Sequence, residues 1–222
     1  MIVEGMDRHG DGSGRLGKKL TAQAFRARAR ERLSALSVAD AGDHILNPGS
    51  KRFIDRKAPL KDAAVLIAVV DRGANPTVIL TQRTEHLPSH AGQIAFPGGK
   101  IDRGDDGPLA AALREAHEEV GLRPSSVAPV GSLPNYLTGS GYKIVPVVAV
   151  VPPDLALVPN PGEVADVFEV PLAFLMNPAN HQRHSRLFQD EKRYFYAMPY
   201  GERYIWGVTA GIIRLLYDTV YG

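Results

Sequence analysis

Three glutamates in one short stretch carry the strongest chemical signal in this sequence. Glu115, Glu118 and Glu119 stand at i, i+3 and i+4, so a helix would place their carboxylates on one face. Leu109, Leu113, Ala116 and Val120 fall on another face at core spacing. Like charges at that spacing repel by roughly a few tenths of a kcal/mol per pair, and no lysine shares the acidic face. A hard divalent cation would neutralise them, because Mg²⁺ takes oxygen ligands and is commonly held by carboxylates together with substrate phosphates. Just upstream, Phe96-Pro97-Gly98-Gly99 reads as a strand end running into a turn. Its two glycines permit positive φ and a close backbone approach. A strand, a Gly-Gly turn and an acidic helix in that order suit a metal and a phosphate.

Elements that could position this site are legible around it. The acidic helix is predicted from about Pro108, a good first-turn residue, to Val120, with Gly121 as its stop. Apolar runs at Ala63 to Val70 and Thr77 to Gln82 predict two strands joined by a Gly73-, Asn75- and Pro76-bearing turn. Further strands are expected at Gln93 to Phe96, Val127 to Leu133, Ile144 to Val151 and Asp166 to Val170. A short helix is predicted from Pro171 to Met176, then a hairpin from Arg193 to Met198 and Glu202 to Ile205. A terminal amphipathic helix covers about Thr209 to Val220. At the other end, Thr21 could cap a helix reaching Leu36, with Phe25, Ala29, Leu33 and Leu36 at helical spacing and its arginines on solvated faces. Strands interrupted by two substantial helices predict an α/β class: one sandwich of helices packed on a mixed β-sheet.

Composition bounds the rest. The 222 residues include no cysteine, which excludes a disulfide framework and any thiolate metal site or nucleophile. With 44% hydrophobic and 23% charged residues the chain reads as globular. The balance of 26 Lys+Arg against 24 Asp+Glu gives no reason to expect nucleic acid, and no apolar run has the ~20 residues of a membrane span. Residues 1–20 are polar and glycine-rich and read as a flexible tail; lacking an apolar segment, and carrying Glu4, Asp7 and Asp11, they do not read as a targeting signal. A cytoplasmic location is the resulting expectation. Residues 21–57 are expected to form a helix and connection packed on a domain spanning 58–222.

The stretch from Gly99 to Leu122 resembles the signature of the Nudix hydrolases. Gly99 fits its opening glycine, and Arg114-Glu115-Ala116-His117-Glu118-Glu119-Val120-Gly121-Leu122 fits its second half. Asp105 stands where the signature has glutamate, with a spacer to Arg114 one residue longer. A second block, Leu80 to Thr84 and His90 to Gly99, is similar to the segment preceding this motif in coenzyme A pyrophosphatases, a subgroup that also commonly has Asp with the longer spacer. Thr138 to Tyr142, Glu163 to Leu172 and Ile205 to Ala210 are similar too, so the resemblance spans about residues 60–215. Pro88 replaces the arginine usual in that subgroup, and Thr84 its serine or alanine.

The resemblance implies a Nudix-like α/β/α sandwich. It also implies hydrolysis of a small-molecule nucleotide with Mg²⁺ or Mn²⁺. Coenzyme A or acyl-coenzyme A would give 3′,5′-ADP and 4′-phosphopantetheine or its acyl form. The alternatives are another nucleoside diphosphate derivative (ADP-ribose, a dinucleotide or a nucleoside triphosphate), or a non-catalytic ligand-binding module. Glu115, Glu118 and Glu119 are the expected metal ligands, with a backbone group of Gly99. Arg114 would orient a glutamate or the loop through an ion pair. Glu163, in a Pro/Asn/Gly loop before a strand, is a candidate distal ligand or base; which carboxylate is the general base stays open. Arg83, His86, His90 and Lys100 are candidate substrate contacts. His117 reads as a packed or partly exposed residue, and Trp206 as a core residue that could instead stack on adenine.

Overall fold

The computed structural model describes residues 20–36, 39–86, 90–188 and 190–222. The expected tail, up to residue 19, and Pro88 lie outside the described residues.

Thr21 caps the first helix, α1 (Ala22–Ser34), by accepting a hydrogen bond from the Ala24 N–H at 3.1 Å. A connection follows that holds β1 (Ala41–Gly42) and two single-turn helices, α2 (Asp43–Leu46) and α3 (Lys51–Ile54). The central strand, β2 (Lys61–Val70), leads into β3 (Thr77–Arg83), then β4 (Ile94–Ala95) and β5 (Gly98–Lys100). The acidic helix is α4 (Gly107–Val120). Gly121 ends it at φ 69°, its N–H bonded to the Ala116 and His117 carbonyls. Then come β6 (Ala128–Ser132), β7 (Tyr136–Leu137), β8 (Tyr142–Val151), β9 (Val164–Pro171) and α5 (Leu172–Leu175). The chain finishes with β10 (Gln182–Phe188), β11 (Glu191–Tyr200), β12 (Arg203–Trp206) and α6 (Gly207–Val220).

β2 organises the larger sheet, and its ten residues all pair in parallel with β8. On its other edge it is shared. Val69 and Val70 pair with β3, whereas Ala63 to Val65 pair with β5. β3 turns away to pair with β9 and β4. The sheet therefore opens into a fork beside Gly98, and the Leu66 N–H donates to the Pro97 carbonyl at 2.8 Å in that fork. β2 is nearly all apolar because both of its faces are covered. Ala64, Leu66, Ala68 and Val70 pack with Ala111, Ala112, Ala116 and Val120 of α4. Ile67 and Val69 join Phe25 and Ala29 of α1 and Ile212, Ile213 and Leu216 of α6 on the opposite side. This is the α/β/α sandwich with a mixed sheet.

Three expectations need correction. Leu109 is 38% exposed and Leu113 only partly buried, and neither joins the core stripe of α4, whose buried apolar residues are Ala111, Ala112, Ala116 and Val120, small enough to let the helix sit close to the sheet. Arg28 is not merely solvated: it donates from Nε to the Val220 carbonyl at 2.7 Å and stacks over Tyr221, tying α1 to α6. The hairpin is a three-stranded sheet, because β10 pairs with β11 from Gln182↔Ala197 to Phe188↔Glu191. β10 contains three charged or imidazole side chains in seven residues (Arg183, His184 and Arg186), so hydrophobic patterning does not reveal it.

Candidate active site

Gly98 and Gly99, expected in a turn, belong to strand β5, which pairs with β2 and meets α4 at the fork. Gly98 has φ 154°, and a side chain there would strike the Ala64 carbonyl and Val65. A side chain on Gly99 would fall on the Glu115 carboxylate. Both glycines are thus demanded by contact, one with β2 and one with the acidic face.

Glu119 is the buried member of the cluster. Its Oε2 accepts from the Gly98 N–H at 3.1 Å, and its Oε1 lies 3.7 Å from Arg83 Nη1. Burial pushes its pKa up to about 7; the Gly98 amide and Arg83 oppose the shift, while Glu115 and Glu163 add to it. Glu115 is half-buried, and burial raises its pKa too, with the adjacent Arg114 opposing and Glu118 and Glu163 assisting. Glu163 is exposed on its loop, where the Thr84 N–H donates to its carbonyl at 3.0 Å, and its charge adds to both upward shifts. Glu118 is the exposed member.

Arg114 supplies the local positive charge that a search for lysine overlooks. Its Nε and Nη2 grip Asp105 Oδ1 and Oδ2, both at 2.9 Å. Its Nη1 donates to Glu115 at 3.0 Å and Glu118 at 3.1 Å, and Nη2 also reaches the Lys100 carbonyl at 3.1 Å. Asp105 closes the loop by accepting from the Asp102 N–H at 2.8 Å. These bonds hold the Asp105 carboxyl down at about 2 and push the guanidinium further up. An arginine with every N–H group so committed is a positioning residue, and Asp105 is its anchor.

Among the described residues, no three acidic or imidazole side chains converge on one point as placed. The hydrogen bonds explain why: Arg114 draws Glu115 and Glu118 to itself, and the Gly98 amide takes Glu119. The donor set nonetheless fits a hard cation. It is all oxygen, its carboxylates raise one another's pKa values, and the Gly99 cradle leaves Glu115 reachable from the backbone side.

Beside the fork lies a cavity of about 570 Å³, a size that suits a small ligand. Arg83, His90, Lys100, Gly98 and Gly99 line it. His90 is held at φ 59° with Nδ1 at 2.9 Å from Gln93 Oε1. His86 is not among its lining residues; its Nε2 lies 3.5 Å from Thr84 Oγ1. His117 is exposed on α4. Trp206, read as core, is a cavity wall packed edge-on to Phe195 at 5.5 Å. Sequence reasoning missed the cavity's far side, made by Arg52, Phe53, Arg186, Phe188, Arg193 and Phe195. The only signal was the alternation of Arg186 with Phe188 and of Arg193 with Phe195, which puts each pair on one face of its strand.

The NUDIX domain family matches residues 60–190. The chain belongs to the Nudix family. The uncharacterized Nudix hydrolase NudL of Escherichia coli (strain K12) is 44% identical over 156 residues, covering 70% of this chain and 81% of the relative. NudL of Escherichia fergusonii gives the same identity and coverage. Among solved structures, the Nudix hydrolase RenU of M. smegmatis is 26% identical over 52% of this chain and 73% of its own, with TM-score 0.45. The protein is accordingly a Nudix hydrolase, in a family that acts on small nucleotide-linked substrates and generally uses divalent metals. No helix among the described residues is long and apolar enough to cross a membrane.

Proposed function

We propose that this Nudix hydrolase cleaves the pyrophosphate of coenzyme A or acyl-coenzyme A, releasing 3′,5′-ADP and 4′-phosphopantetheine or its acyl form. One observation carries the substrate reading. The block that resembles the coenzyme A pyrophosphatases, from Arg83 through His90, Gln93 and Phe96 to Gly99, lines the cavity that opens beside the glutamate cluster. The same cavity has aromatic walls and further arginines, which suits an adenine nucleotide.

Glu115 and Glu119, with Glu118 and Glu163 beside them and a backbone group of Gly99, would hold Mg²⁺ or Mn²⁺. A cation held there would supply charge neutralisation for the pyrophosphate oxygens and a more acidic water. The chain's own groups do the rest. Arg114 and Asp105 keep the loop and the acidic face in register. Arg83 balances the Glu119 charge at the cavity wall. A glutamate that accepts the proton of the attacking water lets its oxygen bond to phosphorus as the bridging P–O bond breaks. Glu163 suits that role, being exposed and close enough for its charge to act on both Glu115 and Glu119.

The test is a substrate panel with Mg²⁺ and with Mn²⁺, read by mass spectrometry. Coenzyme A should yield both named products. Cleavage of ADP-ribose, a dinucleotide or a nucleoside triphosphate with coenzyme A left intact would move the substrate assignment. No turnover of any of them would overturn the catalytic reading.

A further inference from the structure

The far side of the cavity holds an excess of positive charge that the reaction at the glutamate cluster does not use. The guanidinium carbons of Arg52, Arg193 and Arg186 lie 4.4, 4.4 and 6.0 Å from the centre of the Phe188 ring. Arg186 and Arg193 are direct cross-strand partners in the β10–β11 pair. Like charges placed opposite one another destabilise a sheet, so this arrangement has a cost. Arg52 is fixed beside them by two hooks. Asn47 donates to the Tyr194 carbonyl at 3.0 Å and accepts from its N–H at 2.8 Å, and Ser50 Oγ donates to Glu191 at 3.0 Å.

No carboxylate among the described residues forms a hydrogen bond or ion pair with any of the three. Glu191 and Asp43, whose charges act on Arg193, are already engaged. Glu191 accepts from Ser50 and from the Lys51 N–H, and Asp43 accepts from the Tyr136 hydroxyl at 2.7 Å and the Gly139 N–H at 3.1 Å. Arg193 Nε is buried with no partner. Burial together with the charges of Arg52 and Arg186 lowers its pKa from the usual arginine value, with the charges of Glu191 and Asp43 opposing. All three side chains line the same cavity as Gly98 and Gly99.

We infer that Arg52, Arg186 and Arg193 form a second anion site, which takes a phosphate monoester carried by the nucleotide substrate in addition to its scissile pyrophosphate. Guanidinium groups bind phosphate through paired, charge-assisted hydrogen bonds. The rings of Phe188 and Trp206 hold the arginines in place through their faces, with Arg186 5.6 Å from the Trp206 ring centre. On the coenzyme A reading, on which the identity of the group rests, the monoester is the ribose 3′-phosphate.

The experiment compares coenzyme A with 3′-dephospho-coenzyme A in the wild type and in Arg186→Gln and Arg193→Gln. The wild type should prefer coenzyme A, and each variant should lower the kcat/KM ratio of the two substrates at least tenfold, with Arg193→Lys recovering part of it. A ratio unchanged in both folded variants would overturn the site. Calorimetry keeps this separate from the substrate reading. If neither compound is hydrolysed, adenosine 3′,5′-bisphosphate should still bind at least tenfold tighter than 5′-AMP, and Arg193→Gln should abolish that difference. Equal binding of the two nucleotides by the wild type would refute the site. Inorganic phosphate binding as tightly as the bisphosphate would also refute it, by marking a free-phosphate site.

Discussion

At the residue scale, two acids of the same loop-helix unit are driven in opposite directions. Glu119 is buried, and its one amide donor and the Arg83 guanidinium at 3.7 Å offset the cost of burying its charge only in part. Asp105 has both oxygens bound by one guanidinium, so its charge is favoured. Glu119→Gln retains the shape and removes the charge. It should lower kcat by at least about 10²-fold, while thermal melting of the metal-free protein shows equal or greater stability. A variant that melts much lower would point to a structural role instead. The sign of the pH effect at Asp105 follows from its folded pKa of about 2, below the ordinary 3.8. Its contribution is complete above the ordinary value and is lost as pH falls through about 2. Chemical denaturation of wild type and Asp105→Asn should show a stability gap that is widest near neutrality and closes in acid. A gap independent of pH would mean that the Asp105–Arg114 pair is not its source.

At the scale of elements, strand β5 and the helix α4 must approach each other with no side chain between them. Gly98 and Gly99 respond differently to that demand. Alanine at Gly98 would meet rigid backbone at Ala64 and Val65 in a positive-φ conformation, so Gly98→Ala should unfold the fork. Alanine at Gly99 would meet only the end of the flexible Glu115 side chain. Gly99→Ala should therefore fold, with stability changed by less than about 1 kcal/mol. Its turnover should fall by roughly 10²-fold, because small displacements of a reacting group are costly. Denaturation and steady-state kinetics on the same preparation separate the two effects. The third strand, β10, belongs to this scale as well. Its backbone pairs fully with β11, although its side chains resemble a loop in polarity, because one of its faces looks into the cavity rather than the core.

At the scale of the molecule, the sheet is closed on its second side by α1 and α6. Phe25 of α1 is fully buried and shares a cluster with Ile67, Ile212 and Leu216, so a segment far from the motif in sequence completes the core. Phe25→Ala should cost about 3–5 kcal/mol, read by urea denaturation, and should lower the midpoint of one transition rather than split it. A loss below about 1 kcal/mol would mean that α1 does not complete this core.

Local spacing alone determined much of this protein. The helix of Glu115, Glu118 and Glu119, its stop at Gly121 and the longer strands of the central sheet follow from periodicity, and the resemblance to the family from one dense motif; the short strands β1, β5 and β7 do not. The close approach at Gly98 and Gly99 was legible for the same reason, although the two lie in strand β5 rather than in a turn. Tertiary structure decided what depends on distance across the chain. It gave Arg114 to Asp105, buried Glu119 under the fork and set Trp206 in a wall. It also brought Arg52, Arg186 and Arg193 around Phe188 from two distant segments. Charge shows its effect only where burial and proximity are known, and both arise when the chain closes on itself.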